Sequence, residues 1–296
     1  MESQAHGSEL ELATGTAAEL PSDAPSTTPL ALGARGRLTI RAPAGFIVVE
    51  GSEGAPTLEL RGAQLGERVV VNSTDEGVDI SVLPGDERAA GAWRSRLRLV
   101  VRVPPSLRTR VQLASGRVRF RGLVGAEVDL ELASGIASLR DVTGLLRLRV
   151  SNGRIDANNV AGRFDMEVES GAIRVSVRGI EPGNHRLYTR FGAIRAHLAA
   201  GLAVEVVARS EHGSVRNRYP VVQNASSKLE LLAASGSVRV SSDTPEAVAT
   251  ASTADQALGA RRVLDSLRRG RISRVEAEVL LDSLGFGRVD DDRDRG

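Results

Sequence analysis

Arginine is the side chain whose placement most suggests chemistry. Along residues 93–103 the arginines Arg94, Arg96, Arg98 and Arg102 alternate with Trp93, Leu97, Leu99, Val101 and Val103, and Arg117, Arg119 and Arg121 repeat the alternation a strand or two later. Period-two spacing puts such residues on one side of an extended strand. The result is a positive patch able to contact nucleic-acid phosphates or anionic lipid heads. Single-stranded nucleic acid would call for interleaved aromatics, but aromatic residues make up only 3% of the chain, and Phe120 alternates to the side opposite the arginines.

No other constellation forms a site. The chain has no Cys, which removes disulfides, thiolate zinc, iron–sulfur clusters and a cysteine nucleophile together. His6, His185, His197 and His212 lack a metal-ligand spacing and are expected at the surface or in turns. Asp165, Glu167 and Glu169 share a strand face, yet Arg147 and Arg149 on the neighbouring repeat make a charge ladder of them rather than a cation site. Neither a phosphate loop followed by Lys nor a Gly-x-Ser-x-Gly elbow occurs. The expectation is a protein with no catalytic residues, no cofactor and no metal.

The elements that position the arginines are strands in a repeat. Gly116, Gly135, Gly153, Gly171, Gly192, Gly213 and Gly236 each precede a β-branched or apolar residue one or two places on, most of them following Ser or Asn, at intervals of 18 to 23 residues. A period near 20 with a turn signal in every unit marks a stacked repeat. Between the glycines the residues alternate, and an offset of 18 aligns Val128 with Leu146 and Phe164, Leu130 with Leu148 and Met166, and Leu132 with Val150 and Val168. The polar positions align as well, Asp129 with Arg147 and Asp165, and Glu131 with Arg149 and Glu167. Acid–base–acid order on adjacent strands favours that register. We therefore expect an all-β fold, a β-solenoid resembling a parallel β-helix with repeats of 18–23 residues, with an antiparallel sandwich as the weaker alternative. Residues 35 to 110 carry short β runs without the Gly period, as a terminal cap would.

Charge divides the 296-residue chain. Residues 1–34 hold five acids and no bases, the strand-repeat domain of residues 35–240 holds 30 bases against 21 acids, and residues 241–296 hold nine bases against 11 acids. The first segment lacks an apolar pattern and is expected to be a disordered acidic arm. No stretch reaches the length of a membrane span or a signal-peptide core, so the expected location is cytoplasmic, with the inner-membrane surface as a peripheral site. Residues 241–254 read as a linker, residues 255–286 as a small α-helical hairpin and residues 287–296 as a charged tail. In the hairpin Leu264 and Leu267 fall at helical spacing before Gly270, and Ser273 and Glu276 form a capping box flanked by Ile272. Leu280, Leu281 and Leu284 then lead to Gly285 and Phe286. A hairpin this short needs something to pack on, so these residues are candidates for contact with a protein partner or a second copy.

The run Val101-Arg102-Val103-Pro104, then Val111-Gln112-Leu113-Ala114-Ser115-Gly116-Arg117-Val118, followed by Ser-Gly-x-Val/Ile units, resembles the bacterial putative-adhesin family of β-strand repeats, or toastrack domain, over roughly residues 36 to 241. The C-terminal pattern is similar to the SHOCT-like helical hairpin. The resemblance implies the strand-repeat fold, no catalytic residues, and a neighbourhood in envelope-stress and membrane-associated signalling. The expected function is a non-enzymatic scaffold or interaction protein, self-assembling or partner-binding; a binding module for nucleic acid or an anionic membrane surface is the alternative.

Overall fold

The computed structural model describes residues 17–20, 26–33, 36–61, 68–83, 97–222 and 225–242. The chain divides into two units, Met1–Asp243 and Thr244–Gly296, and all described residues lie in the first. The expected hairpin lies outside the described residues, as do Trp93 to Arg96.

The described elements are β1 (Ala17–Leu20), β2 (Ser26–Pro29), β3 (Arg37–Gly51), β4 (Thr57–Arg61), β5 (Arg68–Thr74), β6 (Gly77–Leu83), β7 (Arg98–Val103), β8 (Arg108–Arg121), β9 (Ala126–Arg140), β10 (Thr143–Ile180), β11 (Gly183–Leu198), β12 (Val204–Asn217) and β13 (Ser227–Ser242). They form one sheet in which β3, β8, β9, β10, β11, β13 and β12 are stacked in parallel register. β10 is long because it makes two coils without a break.

Each coil has two limbs. In β9 the first limb buries Val128, Leu130 and Leu132, and the second, after the Ser134-Gly135 bend, buries Ala137 and Leu139. The same inward sets recur as Leu146, Leu148 and Val150 with Ile155 and Ala157, then as Phe164, Met166 and Val168 with Ile173, Val175 and Val177. The core is thus a series of apolar ladders, each rung supplied by the coil before it. Two corners close a coil. One is the glycine bend, where Gly116, Gly135 and Gly153 pair in register and a side chain on any of them would strike the preceding glycine's carbonyl. At the other, Asp141 and Asn159 take positive φ of 55° and 56°, and the Asn159 amide donates a hydrogen bond to Asp141 Oδ1. Short polar side chains tolerate that conformation.

The ladder register follows the offset of 18, with Leu146 against Val128 and Arg147 against Asp129. The order of the last coils departs from simple succession. β13 stacks on β11, with Gly236 against Gly192, and β12 lies outside it, with Gly213 against Gly236. Packing explains the exchange. β13 offers Leu229, Leu231, Ala233, Val238 and Val240 to the core, whereas β12 buries only Val204 fully, with Val206 and Ala208 partly buried and Val215 exposed. The strand with the larger apolar set takes the interior position. Tyr219 pins the return of the chain, its hydroxyl donating to the Leu202 carbonyl over 2.8 Å. Glu205, Arg209, Glu211 and Arg216 lie along β12, charges of the kind that keep an edge from pairing.

At the other end β3 is itself a coil. It pairs with β8 along one side and with both β6 and β7 along the other, and β5–β1 and β4–β2 continue antiparallel from these. Two features of the expected arm change here. β1 and β2 fall within residues 1–34, and Leu30, at the end of β2, is buried, with its amide bonded to the Pro56 carbonyl over 2.9 Å. The strand expected over residues 93–103 begins at Arg98.

His185 also departs from expectation. It is 1% exposed rather than at the surface, in the same inward column as Phe164, with ring centroids 5.5 Å apart. Nδ1 accepts the Phe164 amide N–H at 3.2 Å, so the ring proton sits on Nε2 and donates to the Glu181 carbonyl over 2.8 Å. The imidazole fills a core position and satisfies two backbone groups.

A candidate anion-binding face

The two limbs present different outer surfaces. On the first limb, acids and bases alternate from strand to strand and pair. Glu127 meets Arg108 at 2.7 Å and Arg147 at 3.1 Å, Arg110 reaches Glu131 at 3.0 Å, and Glu169 takes Arg190 at 3.3 Å. A hydrogen bond from Gln112 and the charge of Arg110 hold the Glu131 carboxyl below its usual range. A groove of about 730 Å³ on this side is lined by Arg41, Gln112, Glu131 and Arg149 among others, charges of both signs.

The second limb carries arginines with few acids. β3 runs between β7 and β8, so Phe46 is flanked by Arg98 on one side and Arg117 on the other. The guanidinium carbons of Arg98, Arg117 and Arg119 lie 5.3, 5.9 and 5.3 Å from the Phe46 ring centroid. Arginine over an aromatic face is held by the ring quadrupole. Burial, then the charges of Arg121, Arg117, Arg140 and Arg98, push the Arg119 guanidinium below its ordinary pKa. Like charges have been gathered here. Arg102 and Arg121 are partly balanced, both by Glu50 at 3.8 and 3.9 Å and Arg102 also by Glu59 at 3.5 Å.

Of the arginines singled out by alternation, the structure brings Arg98, Arg117 and Arg119 together around one ring and sets Arg102 and Arg121 beside Glu50. Arg94 and Arg96 lie outside the described residues, as do Leu264, Leu267, Ile272, Leu280, Leu281, Leu284 and Phe286 of the candidate hairpin. Residues 107–241 match the Toastrack DUF4097 family. That match runs from the start of β8 into β13, the parallel stack without its N-terminal cap. No curated protein matches the chain. Among solved structures, a "putative cell adhesion protein" from Clostridium sporogenes aligns at 9% identity over 78% of this chain and 100% of its own, with a TM-score of 0.32. A "putative adhesin" from Bacteroides fragilis aligns at 13% identity over 76% of this chain and 97% of its own, with a TM-score of 0.33.

Alternation alone missed two sets of residues. Phe46 and Arg140 join the arginine cluster only through strand pairing, because Phe46 is far from Arg117 in sequence. The second set was legible. In each of the last four repeats the residue three after the bend glycine is arginine, giving Arg174, Arg195, Arg216 and Arg239 after Gly171, Gly192, Gly213 and Gly236. Among the described residues no group of three or more His, Asp or Glu is placed to hold a metal ion, and no helix is long and apolar enough to cross a membrane.

Proposed function

We propose that this chain is a non-catalytic interaction module whose working surface is the outer side of the second limbs, and that its partner is anionic. The carrying observation is the contrast between the two outer surfaces of one stack. The first limbs pair their charges across neighbouring strands, whereas the second limbs converge Arg98, Arg117 and Arg119 on Phe46, where burial and then the charges of neighbouring arginines lower the Arg119 pKa. Like charges on adjacent strands destabilise a sheet, so their concentration on one face fits a surface shaped by what it binds. The toastrack match supports an interaction module, and work in envelope-stress signalling is part of the proposal.

The test is retention of the full chain by an anionic matrix across a salt series. Binding should be strong at low salt and fall steeply as salt rises. Replacing Arg98, Arg117 and Arg119 together by Ser should lower the salt needed for elution. A chain that passes an anionic matrix unretained at low salt would overturn the reading.

A further inference from the structure

We propose that the second-limb groove at the β10–β12 end of the stack binds a linear acidic polysaccharide, with the column Arg174, Arg195, Arg239 and Arg216 engaging its carboxylates. This rests on the interaction-module reading and assigns its ligand. The four residues stand on neighbouring strands in direct register, Arg174 against Arg195, Arg195 against Arg239 and Arg239 against Arg216. All four are exposed. At about 4.8 Å per strand they span roughly 14 Å. Like charges directly opposite are costly in a sheet, and among the described residues the only acid at the column is at one end. Asp156 lies 3.9 Å from Arg174 and is already taken by Arg154 at 2.8 Å. Among the described residues Arg195, Arg239 and Arg216 have no ion-pair partner.

Arg174, Arg195 and Arg239, with Asp156 at one end, form one wall of a shallow groove of about 410 Å³ that runs across the strands, and Arg216 continues the column beyond it on β12. The opposite wall is Asn158, Ser176, His197 and Ser241, in which His197 Nδ1 and Ser241 Oγ are 3.1 Å apart. The floor is main chain at Ala157, Val175 and Ala196, whose side chains point into the core. Beyond the arginines the next outward column is Ala172, Ala193, Ser237 and Ser214, too small to cover the guanidiniums.

Each wall selects part of the ligand. A row of guanidiniums takes a row of carboxylates, two N–H groups to each. A row of hydroxyl, amide and imidazole groups both donates and accepts, which suits the hydroxyls of a sugar chain. A hexose unit is close to one strand spacing in length, so a polymer lying across the strands keeps step with the arginines. No Phe, Tyr or Trp lines the groove, and His197 is bonded to Ser241, so the row of stacking platforms that single-stranded nucleic acid requires is missing. Nor does an apolar side chain project from it to enter a bilayer.

The experiment uses the full chain against polygalacturonate, with its methyl-esterified form as the uncharged control, and with duplex DNA and phosphatidylglycerol vesicles as competing anions. Polygalacturonate should bind at low salt and the esterified polymer should not. Arg195→Ser with Arg239→Ser should weaken binding about tenfold or more, since two charge-assisted pairs are lost. Asp156→Asn, which frees the end of the column, should tighten it by about twofold to threefold. The double variant relieves repulsion, so its thermal midpoint should match or exceed that of the parent. Polygalacturonate binding that ignores the column substitutions overturns the proposal, as does binding of DNA or vesicles without polygalacturonate. In either case an anion still binds, and the interaction-module reading stands. Absence of any anion binding at low salt removes both.

Discussion

The glycine bends make the sharpest claim about what holds the stack together, and Gly153 tests it. A Cβ built on Gly153 would lie 1.8 Å from the Gly135 carbonyl oxygen and 2.8 Å from its carbon, and the residue has φ of +143°. The obstacle is backbone, fixed by its own pairing with Gly116, so it cannot swing aside as a side-chain tip would. Gly125 is the matched control, with φ of +67° and nothing within 4 Å of its Cβ position. Gly125→Ala should cost about 1 kcal/mol, the left-handed strain less the entropy removed from the unfolded chain. Gly153→Ala adds backbone strain of about 1–3 kcal/mol and the loss of at least one strand hydrogen bond at about 1 kcal/mol, for a total of about 3–5 kcal/mol. The difference, about 3 kcal/mol, corresponds to roughly 6–12 °C in thermal midpoint for a domain of this size. Urea unfolding followed by far-ultraviolet circular dichroism gives both the midpoint and its slope, so a change in cooperativity is separated from a change in stability. If Gly153→Ala falls within about 1 kcal/mol of Gly125→Ala, the bends are not in van der Waals contact and the stacking distance deduced here is wrong.

Two further outcomes follow from the core. Burial lowers the His185 pKa below 6.5, outweighing the opposing help of its bond to Glu181. Below that pH the unfolded chain takes up a proton that the folded ring refuses, so this contribution to stability is complete above about pH 6.5 and is lost as pH falls. The thermal midpoint of the parent should therefore drop more between about pH 7.5 and about pH 5.5 than that of His185→Leu, which is less stable at both; equal drops would remove His185 as the titrating group. Thr189 is fully buried, and its hydroxyl has no hydrogen-bond partner. Thr189→Val keeps the shape and discards the unpaired hydroxyl, so urea unfolding should show a gain of about 1 kcal/mol, and a loss would mean the hydroxyl is bonded in solution.

How far each feature could be read from the sequence depended on which residues packing constrains. Inward positions repeat because a mismatched side chain opens a cavity, so Val128, Leu146 and Phe164 announced their column, and the coil register followed from it. The exchange of β12 and β13 was harder to see, since the spacing of Gly192, Gly213 and Gly236 is the same whichever strand lies inside. Only the thinner apolar set of β12 hinted at it. His185 looked like a surface residue because a lone histidine in sequence carries no mark of the two backbone groups it satisfies. Outward positions escape packing altogether, and there repetition means something else. Arg174, Arg195, Arg216 and Arg239 occupy the same place in four coils although nothing in the core asks for them, and exchanging the order of β12 and β13 leaves all four in one row. That row is a property of the repeat position and not of the route the chain takes. Phe46 is the opposite case: its three arginines come from β7 and β8, and only the insertion of β3 between those strands brings them to one ring. In a solenoid, binding surfaces run across the strands, so a ligand reads one residue from each coil while the sequence presents each coil whole. An arginine repeated at a fixed distance from the bend is the trace such a surface leaves in the chain.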